Sequence, residues 1–180
     1  MGNLPNEALV LIKELIDEDF YAPDLIKKPS QALLGAMFFM VYDAKWKNEL
    51  PFWDAFPLFV LIGKYQDRWL GLNLHYLPYT WRVSVAKQLM TKFSSKKRIQ
   101  YRDVLDALKK SKVPTGLLYF CVRQYLFSHI RSDVYMFNRM NYELMIKNLM
   151  PRFKKASEST VYKNILSKFY TKIKGIRKKK

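Results

Sequence analysis

Residues 151–180 carry eleven Lys or Arg side chains and a single acid, Glu158. Ammonium and guanidinium groups at that density do one chemistry well. They neutralise phosphates, release condensed counterions, and so give sequence-independent affinity that falls steeply with salt. The candidates are Lys168, Lys172, Lys174, Arg177, Lys178, Lys179 and Lys180. A second basic set, Lys92, Lys96, Lys97, Arg98, Arg102, Lys109, Lys110 and Lys112, lies upstream, and Lys96, Lys97 and Arg98 are its best phosphate contacts. Whether the two sets share a surface is left open by the chain order, and the competing reading of each is an ordinary solvated helix face.

Other reactive side chains are sparse. His75 and His129 are the only histidines, and neither has Cys or acidic neighbours at ligand spacing, so both read as hydrogen-bonded structural residues. Ser128 beside His129 is no triad, because adjacency in sequence does not supply the geometry. Pro23-Asp24 followed by Asp43-Ala-Lys45 loosely matches the acid and lysine spacing of metal-dependent nucleases. Two carboxylates and a lysine would hold a hard cation and activate water, but no further carboxylate stands beside them. A connector turn and a strand-ending Asp explain the same residues. No catalytic residue, metal or cofactor is assigned, and the chain reads as a binding protein rather than an enzyme.

Composition bounds the partner. The 180 residues carry a net charge of +17, well beyond what solubility requires, and this produces a long-range field attractive to polyanions. Double-stranded DNA is the expected partner. Cys121 stands alone, so no internal disulfide forms and a reducing compartment is expected. The N-terminus has no signal-peptide pattern, and the longest apolar runs, Leu33 to Tyr42 and Ala55 to Ile62, are shorter than the about 20 residues of a membrane span. No membrane partner is expected.

Positioning elements follow from periodicity. Pro5 to Asp17 has a helical apolar stripe, and Phe20 to Ser30, with Pro23 and Pro29, reads as a connector. Ala36–Tyr42, Leu58–Ile62 and Trp69–Tyr76 are short and bulky, as strands are, with turn residues Gly63 to Asp67 joining the last two. Pro51 and Pro57 belong in the loop or edge before the second strand. Phe52, Trp53, Phe56, Phe59 and Trp69 read as core rather than as platforms for base stacking.

From Tyr79 the period is helical, giving two helices separated by Ser94 to Arg98. A third helix from Thr115 would place Leu118, Cys121, Val122, Tyr125, Leu126 and His129 on one face. Asp133 to Arg139 reads as a strand, and Tyr142 to Leu149 as a helix ended by Pro151. A closing helix has Tyr162, Ile165, Leu166, Phe169, Tyr170 and Ile173 as its apolar stripe. The expected fold is α+β: a small antiparallel sheet, SH3-like around residues 36 to 77, and a helical C-terminal half. Residues 1–174 form the expected domain and 175–180 a basic flexible tail.

Val41-Tyr-Asp-Ala-Lys-Trp-Lys-Asn-Glu-Leu-Pro-Phe-Trp-Asp-Ala-Phe-Pro57 and Leu70-Gly-Leu-Asn-Leu-His-Tyr-Leu-Pro78 resemble blocks of the DNA end protector proteins of T-even-like contractile-tailed bacteriophages. Cys121 to Ser132 and Leu149 to Ser157 are similar to further blocks, so the resemblance spans residues 36 to 165. Where the family usually has a second proline after Leu77-Pro78, this chain has Tyr79, a change at a helix start. The resemblance implies a virion protein that binds and shields the ends of packaged linear double-stranded DNA, with a part in head completion. It further implies phage head or neck proteins as partners, and a passage from host cytoplasm to virion. A structural head or neck connector is the main alternative, and a metal-dependent nuclease the second.

Overall fold

The computed structural model describes residues 6, 10, 13, 23–93, 99–137 and 141–177, with side chains to residue 175 in the last stretch. Of the expected N-terminal helix, Asn6, Val10 and Lys13 are described, and all three are helical and exposed. The rest of that helix, and Lys96, Lys97, Arg98, Lys178, Lys179 and Lys180, lie outside the described residues.

The strands are β1 (Asp24–Ile26), β2 (Met37–Phe39), β3 (Trp53–Asp54), β4 (Leu58–Lys64), β5 (Arg68–Asn73), β6 (Val122–Leu126), β7 (Val134–Phe137) and β8 (Phe153–Lys154). The helices are α1 (Tyr79–Phe93), α2 (Tyr101–Lys110), α3 (Thr115–Cys121), α4 (Tyr142–Asn148) and α5 (Glu158–Arg177). The architecture is α+β. Six strands form an antiparallel sheet in the order β1-β7-β2-β4-β5-β6, and β3 pairs with β8 in a separate two-stranded ribbon.

Both faces of the sheet are buried, which is why β2 and β4 read as continuous apolar runs. Alternation still sorts their side chains. Met37, Phe39, Leu58, Val60, Ile62 and Leu72 face the helices, whereas Phe38, Met40, Phe59, Leu61, Trp69 and Tyr125 fill a second cluster on the other face. The sheet curls around that second cluster. After β6 the chain makes a 3-10 turn, Phe127–His129, and Ile130 then bridges Tyr42, so one stretch runs from the β5 edge across to β2. A register shift between Leu61 and Gly63 bends β4. Gly71 admits the curl, because a Cβ there would lie 2.4 Å from the Phe59 ring and 2.8 Å from Tyr125.

The structure corrects three expectations. Residues 115–129 are not one helix: α3 ends at Cys121, and Val122 turns to extended backbone with ψ of 131°. Periodicity misled because Val122, Tyr125 and Leu126 fit a helical stripe as well as a strand, and the free edge of β5 decides the matter by pairing with Val122–Leu126. The connector Phe20 to Ser30 contains β1, whose strand character comes from main-chain pairing to β7 rather than from its own burial. The closing helix does not stop before Gly175 but continues to Arg177. A lone glycine weakens a helix without ending it.

The β3–β8 ribbon is tied to the sheet through a buried ion pair. His75 Nδ1 lies 2.7 Å from Asp54 Oδ2, and its Nε2 lies 2.9 Å from the Leu149 carbonyl. Each ring nitrogen thus faces an acceptor. Asp54 also accepts from Asn73 Nδ2 at 3.0 Å and from the Phe56 amide at 3.1 Å. Burial by itself would raise the Asp54 pKa, but His75 and these hydrogen bonds outweigh it and hold the carboxyl below its usual value. Asp54→Asn or His75→Ala should therefore destabilise the fold by about 3–5 kcal/mol in urea unfolding, because each leaves a buried group uncompensated. Since the folded-state pKa is depressed, the stability Asp54 contributes is present above its unfolded value of about 3.9 and is lost as pH falls through the folded value. Unfolding midpoints of the native chain should drop on acidification below about pH 4, and more steeply than those of Asp54→Asn.

Candidate nucleic-acid interface

The cations separate into those spent on the fold and those left at the surface. Arg82 is fully buried, and its Nε donates to the Leu77 carbonyl at 2.7 Å while Nη2 meets Glu158 Oε1 at 2.8 Å and the Tyr162 hydroxyl. Burial lowers its pKa against the opposing pull of Glu158, yet a guanidinium stays charged. This contact docks the first turn of α5 on α1. Val161, Ile165 and Phe169, spaced by four, bury the rest of the helix, and Tyr170, expected in the apolar stripe, is exposed instead.

Lys155 is also structural. Its ammonium donates to the carbonyls of Lys47 at 2.7 Å, Asn48 at 3.1 Å and Leu50 at 3.2 Å, fixing the turn that presents Lys45 and Trp46. Lys155 itself has φ of 67°, in the left-handed region a non-glycine residue seldom occupies, so the clamp is held at some conformational cost. Lys64 donates to the carbonyls of Ser30 and Ala32, at 3.1 and 3.0 Å.

The surface cations gather at a groove. A cavity of about 590 Å³ opens between the 44–50 turn, β5, β6 and α5, and a second of about 330 Å³ continues it toward α3. Phe52, Arg123, Gln124 and Lys168 line both. The positive side chains of the larger cavity are Lys45, Arg68, Arg123 and Lys168; its acids are Asp54 and Asp67. Asp54 is matched by His75 and Asp67 by Arg68, whose Nε is 3.0 Å away. Lys45, Arg123 and Lys168 make no ion pair among the described residues.

Aromatic rings interleave with these cations. The Arg123 guanidinium lies 4.1 Å from the Tyr76 ring centroid, and its Nη1 holds the carbonyls of Phe120 and Val122 at 2.8 and 2.7 Å, capping the C-terminus of α3. Lys45 lies 5.0 Å from the Trp46 ring, and Lys172 lies 4.9 Å from that of Tyr119. Trp46 and Tyr119 are 57% and 69% exposed. Three buried polar atoms, Trp69 Nε1, the Tyr125 hydroxyl and Asn164 Oδ1, lack a well-formed hydrogen bond among the described residues, and Asn73 interacts with the second of them. Asn73, which neighbours Tyr125, is already bonded to Asp54 and to the His75 amide. Burial, reinforced by Asp54 and Tyr76, holds the Tyr125 phenol well above its usual pKa despite Arg123 and Asn73, so it remains a neutral donor.

Of the expected phosphate contacts, the fold brings Lys168 to this groove, and Lys172 lies beside it against Tyr119, which lines the smaller cavity. Lys174 is exposed, but at 100° per residue it falls on the far side of α5 from the buried Ile165. Arg177 is helical, and its side chain lies outside the described ones. In the second basic set, Lys92 lies 3.6 Å from Asp106, while Arg102, Lys109, Lys110 and Lys112 are exposed. Lys45, Arg68 and Arg123 are not legible as phosphate contacts from the sequence, because none of them lies in a dense basic run; Lys45 figures there only through the Asp43-Ala-Lys45 spacing.

Phe52, Phe59 and Trp69 are core, and Trp53 and Phe56 are half-buried, as expected. Asp43 pairs with Lys47 at 2.9 Å rather than with Lys45. No group of three His, Cys, Asp or Glu side chains suited to a metal occurs among the described residues. His129 Nδ1 is 2.8 Å from the Asp43 carbonyl, the structural role expected of it. Burial pushes the Cys121 thiol up to about 12, so it stays protonated and inert. No helix among the described residues is long and apolar enough to cross a membrane.

A family model described as the phage T4 terminal DNA protecting protein matches residues 12–169. The chain belongs to that family. The match takes in all of the sheet and α5 as far as Phe169, so the groove and Lys168 lie within the family's span and Lys172 just beyond it. It is also wider than the 36 to 165 of the resembling blocks. No curated protein and no solved structure matches the chain.

Because Arg82 fastens α5, and with it Lys168, its loss should be felt throughout that edge of the terminal DNA protecting fold. Arg82→Ala should lower stability by about 3 kcal/mol in chemical denaturation, because it removes a fully buried side chain and its hydrogen bonds to Leu77, Glu158 and Tyr162. Tyr162→Phe, which removes a single hydroxyl from the cluster, should cost about 1 kcal/mol.

Proposed function

We propose that this protein caps the ends of packaged linear double-stranded DNA in the phage virion and shields them from exonuclease. Lys and Arg side chains clamp terminal phosphates, and the bulk of the domain denies a nuclease access to the terminus. The observation that carries the reading is the groove, where Lys45, Arg123 and Lys168 stand without an acid partner among the described residues, beside Lys172 on α5. The family and the net charge of +17 support it independently. Action is steric rather than catalytic and requires no cofactor. The protein acts in the host cytoplasm during assembly and then in the virion, where head or neck proteins are its protein partners and head completion its second role.

The test compares linear and closed-circular duplexes of equal length across a salt series, with exonuclease digestion of the linear form in parallel. Tighter binding to linear DNA, by about tenfold or more, together with intact ends is the expected result. Equal binding with no protection would overturn end capping and favour a structural connector. Lys168→Gln combined with Lys172→Gln should weaken binding evenly across sequences and flatten the slope of log affinity against log salt by about 2, roughly one per lost phosphate contact.

A further inference from the structure

Resting on that reading, we infer that the groove between the 44–50 turn, β6 and α5 is a pocket for the unpaired terminal nucleotide of a DNA end, so that frayed or overhanging ends bind in preference to blunt ones. Size is the first argument. At about 590 Å³ the cavity falls within the volumes that bury a small organic ligand. A base held in a duplex cannot reach its floor, because only its edges are presented, in grooves about 8 Å deep.

The lining is the second argument. A single nucleotide combines a flat π surface, hydrogen-bonding edges and an anionic phosphate, and the cavity offers a counterpart to each. Trp46 is 57% exposed at the lip, and the Arg123 guanidinium, backed by the buried Tyr76 ring 4.1 Å away, lies within; bases stack on aromatic rings and on guanidinium planes alike. Lys45 and Lys168 are the cations placed for the phosphate. The two acids in the lining are each matched by a cation, Asp54 by His75 and Asp67 by Arg68, so neither opposes an anion at full strength.

The adjoining cavity of about 330 Å³ is the third argument. It shares Phe52, Arg123, Gln124 and Lys168 with the larger one and extends the track for the neighbouring nucleotide.

The test uses the full chain and duplexes of one sequence carrying blunt ends, short 3′ overhangs, short 5′ overhangs or hairpin-closed ends, with binding followed by fluorescence anisotropy. The expected result is affinity for at least one overhang about tenfold or more above blunt. Trp46→Ala, at an exposed position, should abolish that difference without lowering the unfolding temperature. Lys45→Gln, at an exposed position of the lining, should weaken overhang binding several-fold while leaving blunt-end binding and stability unchanged. Equal affinity for all four ends, with strong salt dependence retained, would overturn the nucleotide pocket and leave duplex binding standing. An overhang preference unchanged in both variants would place the preference elsewhere and equally overturn this assignment. Absence of binding to any duplex would overturn both this inference and the DNA-end reading.

Discussion

The buried contact between Asp54 and His75 is the constraint on which the rest of the groove depends. One carboxylate gathers the ribbon strand β3, the end of β5 through Asn73, and the 3-10 turn that carries His75, while the other side of the imidazole reaches the Leu149 carbonyl. Three parts of the chain distant in sequence, at Asp54, at Asn73 to His75 and at Leu149, are thereby registered to within a hydrogen bond. Such a pair contributes little net stability against a well-packed apolar alternative, but it penalises every arrangement in which one member is left alone. Its effect is to fix one geometry. The 44–50 turn, the β3–β8 ribbon and Tyr76 take their places around it.

A second layer of cations performs similar work. Arg82 inside the helical layer, Lys155 beneath the 44–50 turn, Lys64 against the 30–32 backbone and Arg123 at the end of α3 all donate to main-chain carbonyls. Each satisfies acceptors where a helix or turn has run out of partners of its own. The net charge therefore overstates the number of groups available to phosphate. Arg123 is the exception that serves both ends, holding carbonyls with one nitrogen while its planar face lies on Tyr76 in the groove.

Some of this was legible from residue order, and the failures have a common cause. The strands β2 and β4, the hairpin joining β4 to β5, and helices α1, α2, α4 and α5 were readable because their apolar periods are strong and their boundaries carry turn residues. Val122–Leu126 was misread as helix because its apolar spacing satisfies two periods, and only the open edge of β5 selects the extended form. β1 and the two-residue strands β3 and β8 have little pattern of their own and exist as pairings. The assignment of α+β survives these errors, since long periodic elements dominate it. The strands expected between residues 36 and 77 supply β2, β4 and β5 of the six-stranded sheet, and β1, β6 and β7 come from outside that span.

What the sequence determined by itself is set by composition and by contiguous pattern: the excess of positive charge, the aromatic core, the basic closing helix and the family. Those properties add up along the chain and need no knowledge of what lies opposite. Only the tertiary structure decided which cations meet. Lys45, Arg68, Arg123 and Lys168 come from four separate regions, and curling of the sheet with docking of α5 brings them to one groove. It also turned Lys155 inward. Convergence of this kind depends on long-range strand pairing and on a few buried polar contacts, which leave no local mark on the residues they join.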